Sequence, residues 1–464
     1  MTKKIFFVLL LAVQTAFAQI ISKDPTFASN GIYTMPGNNA WSRMIQNPDS
    51  SIYFTYNTYN SSTGIEKSFL SKLSPHGIID TSFGINGELQ LPYSATDSQL
   101  KKQSDGKLVV FGFSDTGASI SRILPNGQLD PTFSSNGIAF IAALGNDGNN
   151  RSYGLILQNE KIIVHGIDYS NGQVYQHRIY RLTAAGTIDS TFGNNGSVFT
   201  EGNWSNGTFV LTDNQSNIVV ITNSGILKKL TADGQPLASF GNNGTLQMIS
   251  GLSHAGCVLM DSSNKIVYSN LNDEIFRINS DGTPDTTFNY DLYSHSAING
   301  GAWIMSIIEK NGYYYIGGNG EGDFRPTHFI SKLNQNGSIN SNFSYYSETN
   351  PELTFIGDMI VNDTNIIACG TGYITKYLLN NTTLSTTDIT KTNKMFSFEN
   401  PVKKDLIFKT KEKVIKIEIY SMDGKTIKVL KDNNTDVSDL LKGSYITKIT
   451  FENGKTSVKK LIKD

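Results

Sequence analysis

RILPNGQLDPTFSSNGI, residues 122–138, is the stretch whose reading decides the fold. It runs from a basic residue through a Gly-bearing turn to Asp130, then Phe133, and ends on Asn136-Gly137. The same order of residues returns along the chain. KLSPHGIIDTSFGINGE starts at Lys72, RLTAAGTIDSTFGNNGS at Arg181, and KLTADGQPLASFGNNGT, without the Asp, at Lys229. RINSDGTPDTTF from Arg277 and KLNQNGSINSNF from Lys332 are weaker copies, and DPTFASNGI from Asp24 is a half copy. The landmark phenylalanines are Phe27, Phe83, Phe133, Phe192, Phe240, Phe288 and Phe343, spaced 48 to 59 residues apart. Repetition at such a period marks a repeat architecture.

Working outward, a second phrase accompanies each landmark: a polar turn followed by a short β-branched or aromatic run. It reads PDSSIYFTY, SDGKLVVFG, QNEKIIVHG, NQSNIVVIT, SSNKIVYSN, EKNGYYYIG and NDTNIIACG. Such runs bounded by Asp-Gly or Asn-Lys turns are hairpin signals. Each unit holds about four strand-sized segments, which in the second unit are Leu89–Tyr93, Gln99–Gln103, Lys107–Phe113 and Ala118–Leu124. Four strands per unit and seven units predict a seven-bladed β-propeller over residues 19–379. An open solenoid would have a shorter repeat and capped ends. The half copy at Asp24 supplies the landmark that the last unit lacks, so Asp24–Ile32 is expected beside Ile366–Cys369, closing the ring and hiding a sheet edge. Asp and Asn cap turns and Gly supplies positive φ, so the landmark residues read as scaffold.

LDPTFSSNG, with DGKLVVFG and RILPNG before it, resembles the delta-60 repeat family of bacterial β-propellers. The resemblance is fullest in units two to four and weaker in five to seven. It implies a propeller placed outside the cell and no particular activity.

Both ends of the chain carry addresses. Residues 1–18 have a charged head at Lys3-Lys4, an apolar run from Ile5 to Val13, and Ala16-Phe17-Ala18 as a small-x-small site. This is the pattern of a secretory signal, with cleavage expected between Ala18 and Gln19. The apolar run is shorter than the roughly 20 residues that span a bilayer. Residues 19–393 hold 21 basic and 30 acidic side chains, whereas residues 394–464 hold 16 Lys and 10 acids. The acidic body argues against nucleic acid as a partner, and the change of sign argues for a separate C-terminal domain. Cys257 and Cys369, the two cysteines, lie in apolar contexts of different repeats and read as buried free thiols.

Residues 380–393, NNTTLSTTDITKTN, are polar and aperiodic and read as a linker. Beyond them, alternating segments at Asp405–Thr410, Val414–Tyr420, Thr426–Leu430, Ser444–Phe451 and Thr456–Ile462 predict a small β-sandwich, making the whole chain all-β. In order come Asn400-Pro401-Val402, Ile419-Tyr420-Ser421-Met422-Asp423-Gly424-Lys425, Leu441-Lys442-Gly443-Ser444-Tyr445 and Val458-Lys459-Lys460-Leu461-Ile462. Together they resemble the type A sorting domain of the type IX secretion system. Carried onto this chain, the motif residues are Pro401, Gly424, Gly443, Tyr445, Lys459 and Lys460. Glu399 stands where the family usually has proline, and Ser444 where it usually has an apolar residue. The resemblance implies passage to the outer surface of a Gram-negative bacterium, with the secretion machinery as partner.

No catalytic or metal-binding motif emerges. The six histidines, His76, His165, His177, His254, His295 and His328, form no i, i+4 ligand pair. Gly251–Gly256 is one residue too long for a nucleophile elbow. The Gly-rich run 317–323 lacks the Gly-Lys-Ser/Thr of a phosphate loop, and Glu321 with Asp323 offers a weak calcium site at most; no other cofactor is expected. Two functions stay open. One is a monomeric, non-catalytic binding or adhesion module taking a glycan or a protein, with Trp41, Trp204, Trp303 and Tyr313-Tyr314-Tyr315 as stacking platforms. The other is a polysaccharide hydrolase or lyase in which acids such as Glu201, Glu309 and Asp358 gather at a channel mouth.

Overall fold

The computed structural model describes residues 18–36, 42–114, 117–145, 154–168, 176–201, 208–222, 225–247, 255–270, 274–291, 302–322, 325–343, 346–348, 353, 355–382, 396–398, 400–410, 413–421, 425–431, 435–452 and 456–464. They fall into two units, Ala18–Asn381 and Thr382–Asp464.

The described residues of the first unit form seven small antiparallel sheets. Sheet two is typical: Ser94–Lys102, Leu108–Ser114, Gly117–Ile123 and Ile138–Ile141 pair in chain order. The first strand of each sheet is the one that meets its neighbours. Met44–Gln46, Ser94–Lys102, Gly154–Gln158, Thr208–Thr212, Ala255–Met260, Ala302–Lys310 and Asp358–Val361 each touch the next, and the last touches the first. Sheets joined this way along their first strands form a closed ring around an axis, the propeller arrangement. The apolar clusters straddle adjacent sheets; Phe133, for example, packs with Ala118 and Ile120 of its own sheet and with Leu155 and Ile162 of the next.

Three details differ from the sequence reading. The segment starting near Leu89 is the strand Glu88–Gln90, which pairs with Ile65–Leu73 and so ends sheet one. Apolar alternation locates a strand but does not say which sheet takes it. Ring closure likewise uses another partner: Ala18–Lys23 and Ile32–Thr34 pair with Tyr373–Thr382, not with Ile366–Cys369. The middle strand of sheet seven already has both edges filled, so the N-terminal segment takes the free outer edge. Phe27 still reaches Ile367 and Cys369 through side-chain packing. The strand Tyr373–Thr382 also runs into the stretch read as linker.

In the second unit Thr426–Lys431, Val414–Tyr420, Gly443–Phe451 and Thr456–Lys463 form a sheet in that order, and Phe396–Phe398 pairs with Phe408–Thr410. Ile417, Ile419, Leu430, Ile449, Phe451 and Leu461 point from the sheet onto Val402, Leu406, Val437 and Leu440.

Candidate functional site

The landmark residues are consumed by the scaffold. In sheet two Arg122 Nε donates to Asp130 Oδ2 at 2.8 Å, and its guanidinium lies 4.7 Å from the Phe133 ring centroid. Arg181–Asp189–Phe192 and Arg277–Asp285–Phe288 repeat this at 2.9 and 4.6 Å and at 2.7 and 4.8 Å. A second cation reaches each of these aspartates: Lys107 sits 3.5 Å from Asp130, and Lys161 and Lys265 each sit 2.7 Å from theirs. Burial would raise the Asp130 carboxyl, but hydrogen bonds from Thr132 and the charges of Arg122 and Lys107 outweigh it and hold it down to about 2. Asp189 and Asp285 are held well below the ordinary range in the same way, burial being outweighed by lysine, threonine and arginine contacts.

Two units depart from the pattern. In sheet four, where Leu237 replaces the aspartate, Lys229 pairs instead with Asp213 at 3.0 Å. In sheet six Asn340 stands in the aspartate position and the Lys332 ammonium lies 3.9 Å from the Tyr313 ring centroid. The seventh set is split between the ends of the unit: Lys376 pairs with Asp24 at 3.1 Å over Phe27. Sequence reasoning missed Lys376 because its acid and its Phe lie at the other end of the repeats. A basic residue following the second strand, at the position of Lys72 or Arg122, was the available signal.

The landmarks also join one sheet to the next. The N–H after each of six landmark phenylalanines donates to a carbonyl in the next unit's turn, from Ala28 to His76 through Asn289 to Asn336, at 2.7–3.1 Å. Arg122 donates to the Ala184 carbonyl in the next unit. Gly186 follows at φ 84°, where a Cβ would sit 2.7 Å from the Phe133 ring, so a side chain is excluded there twice over. Phe27, Phe83, Phe133, Phe192, Phe240 and Phe343 are buried, and Phe288 is half-buried.

All these turns lie on one face of the ring. Antiparallel strands put the first-to-second and third-to-fourth connections there, and the remaining connections on the other face. The sequence between strands whose ends meet at the second face does not repeat: 35–43 reads MPGNNAWSR, 202–207 GNWSNG and 349–357 TNPELTFIG. Trp303, 48% exposed, starts the axial strand of sheet six on this face, and Tyr59, 55% exposed, ends the second strand of sheet one there. Tyr314 and Tyr315 are buried, with Tyr314 Oη donating to Asp261 at 2.7 Å, so this part of the tyrosine run is core. Trp41, Trp204 and Asp323 lie outside the described residues, as do the side chains of Glu201 and Glu321.

Three charged groups meet at the axial strands of sheets one, two and seven. Arg43 Nη1 donates to the Gly357 carbonyl at 3.1 Å, and Asp358 accepts from the Met44 and Met359 N–H groups at 3.2 and 3.0 Å. Lys101 stands within electrostatic range of both Arg43 and Asp358. Burial raises Asp358 and lowers Lys101 from their ordinary values. Of the acids named from sequence, Glu309 is not at this point: it accepts from the Ser262 N–H and Oγ at 2.6 and 2.9 Å on the turn face. Among the described residues no group of three or more His, Cys, Asp or Glu is placed to hold a metal ion. Cys257 and Cys369 are buried free thiols, and burial pushes Cys257 up to about 12.

In the C-terminal unit the separated motif pieces meet. Asn400 Oδ1 accepts from the Ile462 N–H at 2.9 Å and its Nδ2 donates to the Lys460 carbonyl at 2.7 Å, while the Val402 N–H donates to the Ile462 carbonyl, so the segment around Pro401 is fastened to the last strand. Gly443 pairs with Lys463, Lys459 with Thr447, and Tyr445 Oη donates to the Leu441 carbonyl at 2.9 Å. Gly424 and residues 1–17 lie outside the described residues; the expected cleavage point, Ala18–Gln19, falls at the start of the ring-closing strand.

Residues 398–464 match the secretion system C-terminal sorting domain. Residues 103–133, 158–192 and 267–288 match the DUF5122 β-propeller domain of unknown function. These are units two, three and five. Unit four, expected among the fuller copies, is unmatched and unit five is matched, in keeping with the Arg277–Asp285–Phe288 set that unit five keeps and unit four has rebuilt. No curated protein matches the chain. Among solved structures, the extracellular domain of the hybrid two-component system BT4673 from B. thetaiotaomicron is 12% identical at a TM-score of 0.42, over 97% of this chain and 58% of that one. BamB from Moraxella catarrhalis is 9% identical at 0.41, over 78% of this chain and 100% of that one. The chain thus spans little more than half the length of the first of these structures. Buried base–acid–Phe sets within the ring and a fastened motif in the C-terminal unit belong to one chain: a β-propeller with three segments similar to the DUF5122 domain, carrying a type IX secretion system sorting domain.

Proposed function

We propose that the protein is a non-catalytic binding or adhesion module, exported by the type IX machinery and held at the outer surface of a Gram-negative cell, with a glycan or protein ligand taken on the face of non-repeating connections. The observation that carries this reading is the contrast between the two faces. The turn face uses its landmark charged and aromatic side chains internally, whereas the other face exposes Trp303 and Tyr59. Half-exposed aromatic side chains make stacking platforms for sugar rings and anchors for protein ligands. Of the carboxylates named as catalytic candidates, Asp358 is occupied by two backbone N–H groups and Glu309 by Ser262, which supports binding over acid–base hydrolysis.

A glycan array probed with the full mature chain tests this reading. Binding that Trp303→Ala or Tyr59→Ala weakens supports it. Release of new reducing ends from any bound polysaccharide would replace it with the enzyme reading.

A further inference from the structure

Among the described residues, the charged cluster at the axial strands holds more hydrogen-bond donors than acceptors. The axial strands Ser94–Lys102 of sheet two and Asp358–Val361 of sheet seven both touch Met44–Gln46 of sheet one, and Lys101 interacts electrostatically with Asp358. Arg43 immediately precedes the axial strand of sheet one and crosses to sheet seven, where its Nη1 donates to the Gly357 carbonyl at 3.1 Å. The guanidinium has five N–H donors and the ammonium three. Among the described residues one of these eight has a partner, the Gly357 carbonyl. Asp358, the only carboxylate in the cluster among the described residues, already accepts from Met44 and Met359 through its two oxygens. Among the described residues two cations therefore face one carboxylate, leaving one positive charge at axial strands that otherwise carry apolar side chains such as Ile45, Leu157, Leu211, Leu259 and Ile360. Each of these is partly buried against the core on the same axial strands. A cation enclosed without a counter-charge is costly, and an anion that takes up the idle donors removes the cost.

We propose that Lys101 and Arg43 form a binding site for one compact anionic group inside the channel, with Asp358 anchoring the site to the backbone and setting its net charge. A sugar carboxylate and free inorganic phosphate present the same chemistry to these donors. The site stands on the channel alone and does not rest on the loop-face reading, so it survives if Trp303 and Tyr59 prove irrelevant.

The test measures the thermal midpoint of the full mature chain at low ionic strength, titrated with sodium glucuronate, sodium phosphate or D-glucose. A midpoint that rises with glucuronate identifies a sugar carboxylate, one that rises with phosphate alone identifies an inorganic anion, and glucose leaves it unchanged. Lys101→Met should weaken the anion by about tenfold or more, the scale of one charge-assisted hydrogen bond. Arg43→Lys, which keeps the charge but not the fork of donors, should weaken it less. The site is refuted if neither anion moves the midpoint, or if folded Lys101→Met responds to anions as the unaltered chain does. Lys101→Gln serves the same purpose should the methionine variant not fold.

Discussion

The two faces of the ring obey different rules. On the turn face units two, three and five repeat one solution: a base, an acid eight residues on and a Phe beneath them, with the following N–H given to the next unit. Where unit four lost its aspartate, Asp213 supplies the charge from another turn, so the contact persisted though the residue did not. On the other face nothing repeats, in length or in composition. Fixed packing demands fixed chemistry, while a face that only joins strands is free to vary and to bind.

The strongest way to break this comparison is to remove the ring closure. Deleting residues 19–33 takes away the outer edge of sheet seven, the Lys376–Asp24 pair and buried Phe27. A loss of several kcal/mol is expected in denaturant melts, since an edge is opened and a large cavity left. Next come the landmark rings. Phe133→Ala and Phe192→Ala should each cost about 3–5 kcal/mol, and the half-buried Phe288→Ala less. Values below about 0.5 kcal/mol at the first two would place them with surface substitutions and collapse the distinction between the faces.

Acid titration sharpens the comparison with a smaller effect. Asp130, Asp189 and Asp285 titrate lower in the folded ring than the usual 3.9 or so of an unfolded chain. Their contribution is therefore present in full above about pH 4 and falls away as pH drops through the folded values, near 2 for Asp130. Asp130→Asn should flatten the stability profile between about pH 4 and pH 2, and a change on the neutral side instead would assign the effect elsewhere. The smallest effect belongs to the C-terminal unit, which has a core of its own. Removing Lys394–Asp464 should leave the thermal midpoint of the ring nearly unchanged while trapping the protein in the periplasm. Normal release of the truncated chain to the medium would remove the sorting role.

The turn face was legible in the sequence because its constraints are local. Asp130, Thr132 and Phe133 must follow one another to form that turn, so the residues that make the contact also spell the motif. The C-terminal strands were legible for a similar reason: alternation over Val414–Tyr420 is read without knowing what packs on it. The channel cluster left no such trace. Arg43, Lys101 and Asp358 belong to three units and answer to no repeat position, and only the curvature of the ring brings them together. Lys376 was hidden by the same long-range geometry. Lys229 shows the converse, a pattern broken in sequence whose physical contact was rebuilt by another residue.

Ring closure also sets an order of events. The strand Ala18–Lys23 emerges first during synthesis, yet its partner Tyr373–Thr382 is among the last parts of the ring to emerge. Entropy adds little to the difficulty, since each doubling of a loop costs only about 0.6 kcal/mol. Time is the larger obstacle, because contacts of such sequence separation form late. Through most of its passage the growing chain must carry an open β-edge at its leading end and must not let that edge pair with another copy. The charged lysine in that segment, Lys23, and the proline just beyond it, Pro25, are the kinds of residue that discourage edge-to-edge pairing until the true partner arrives.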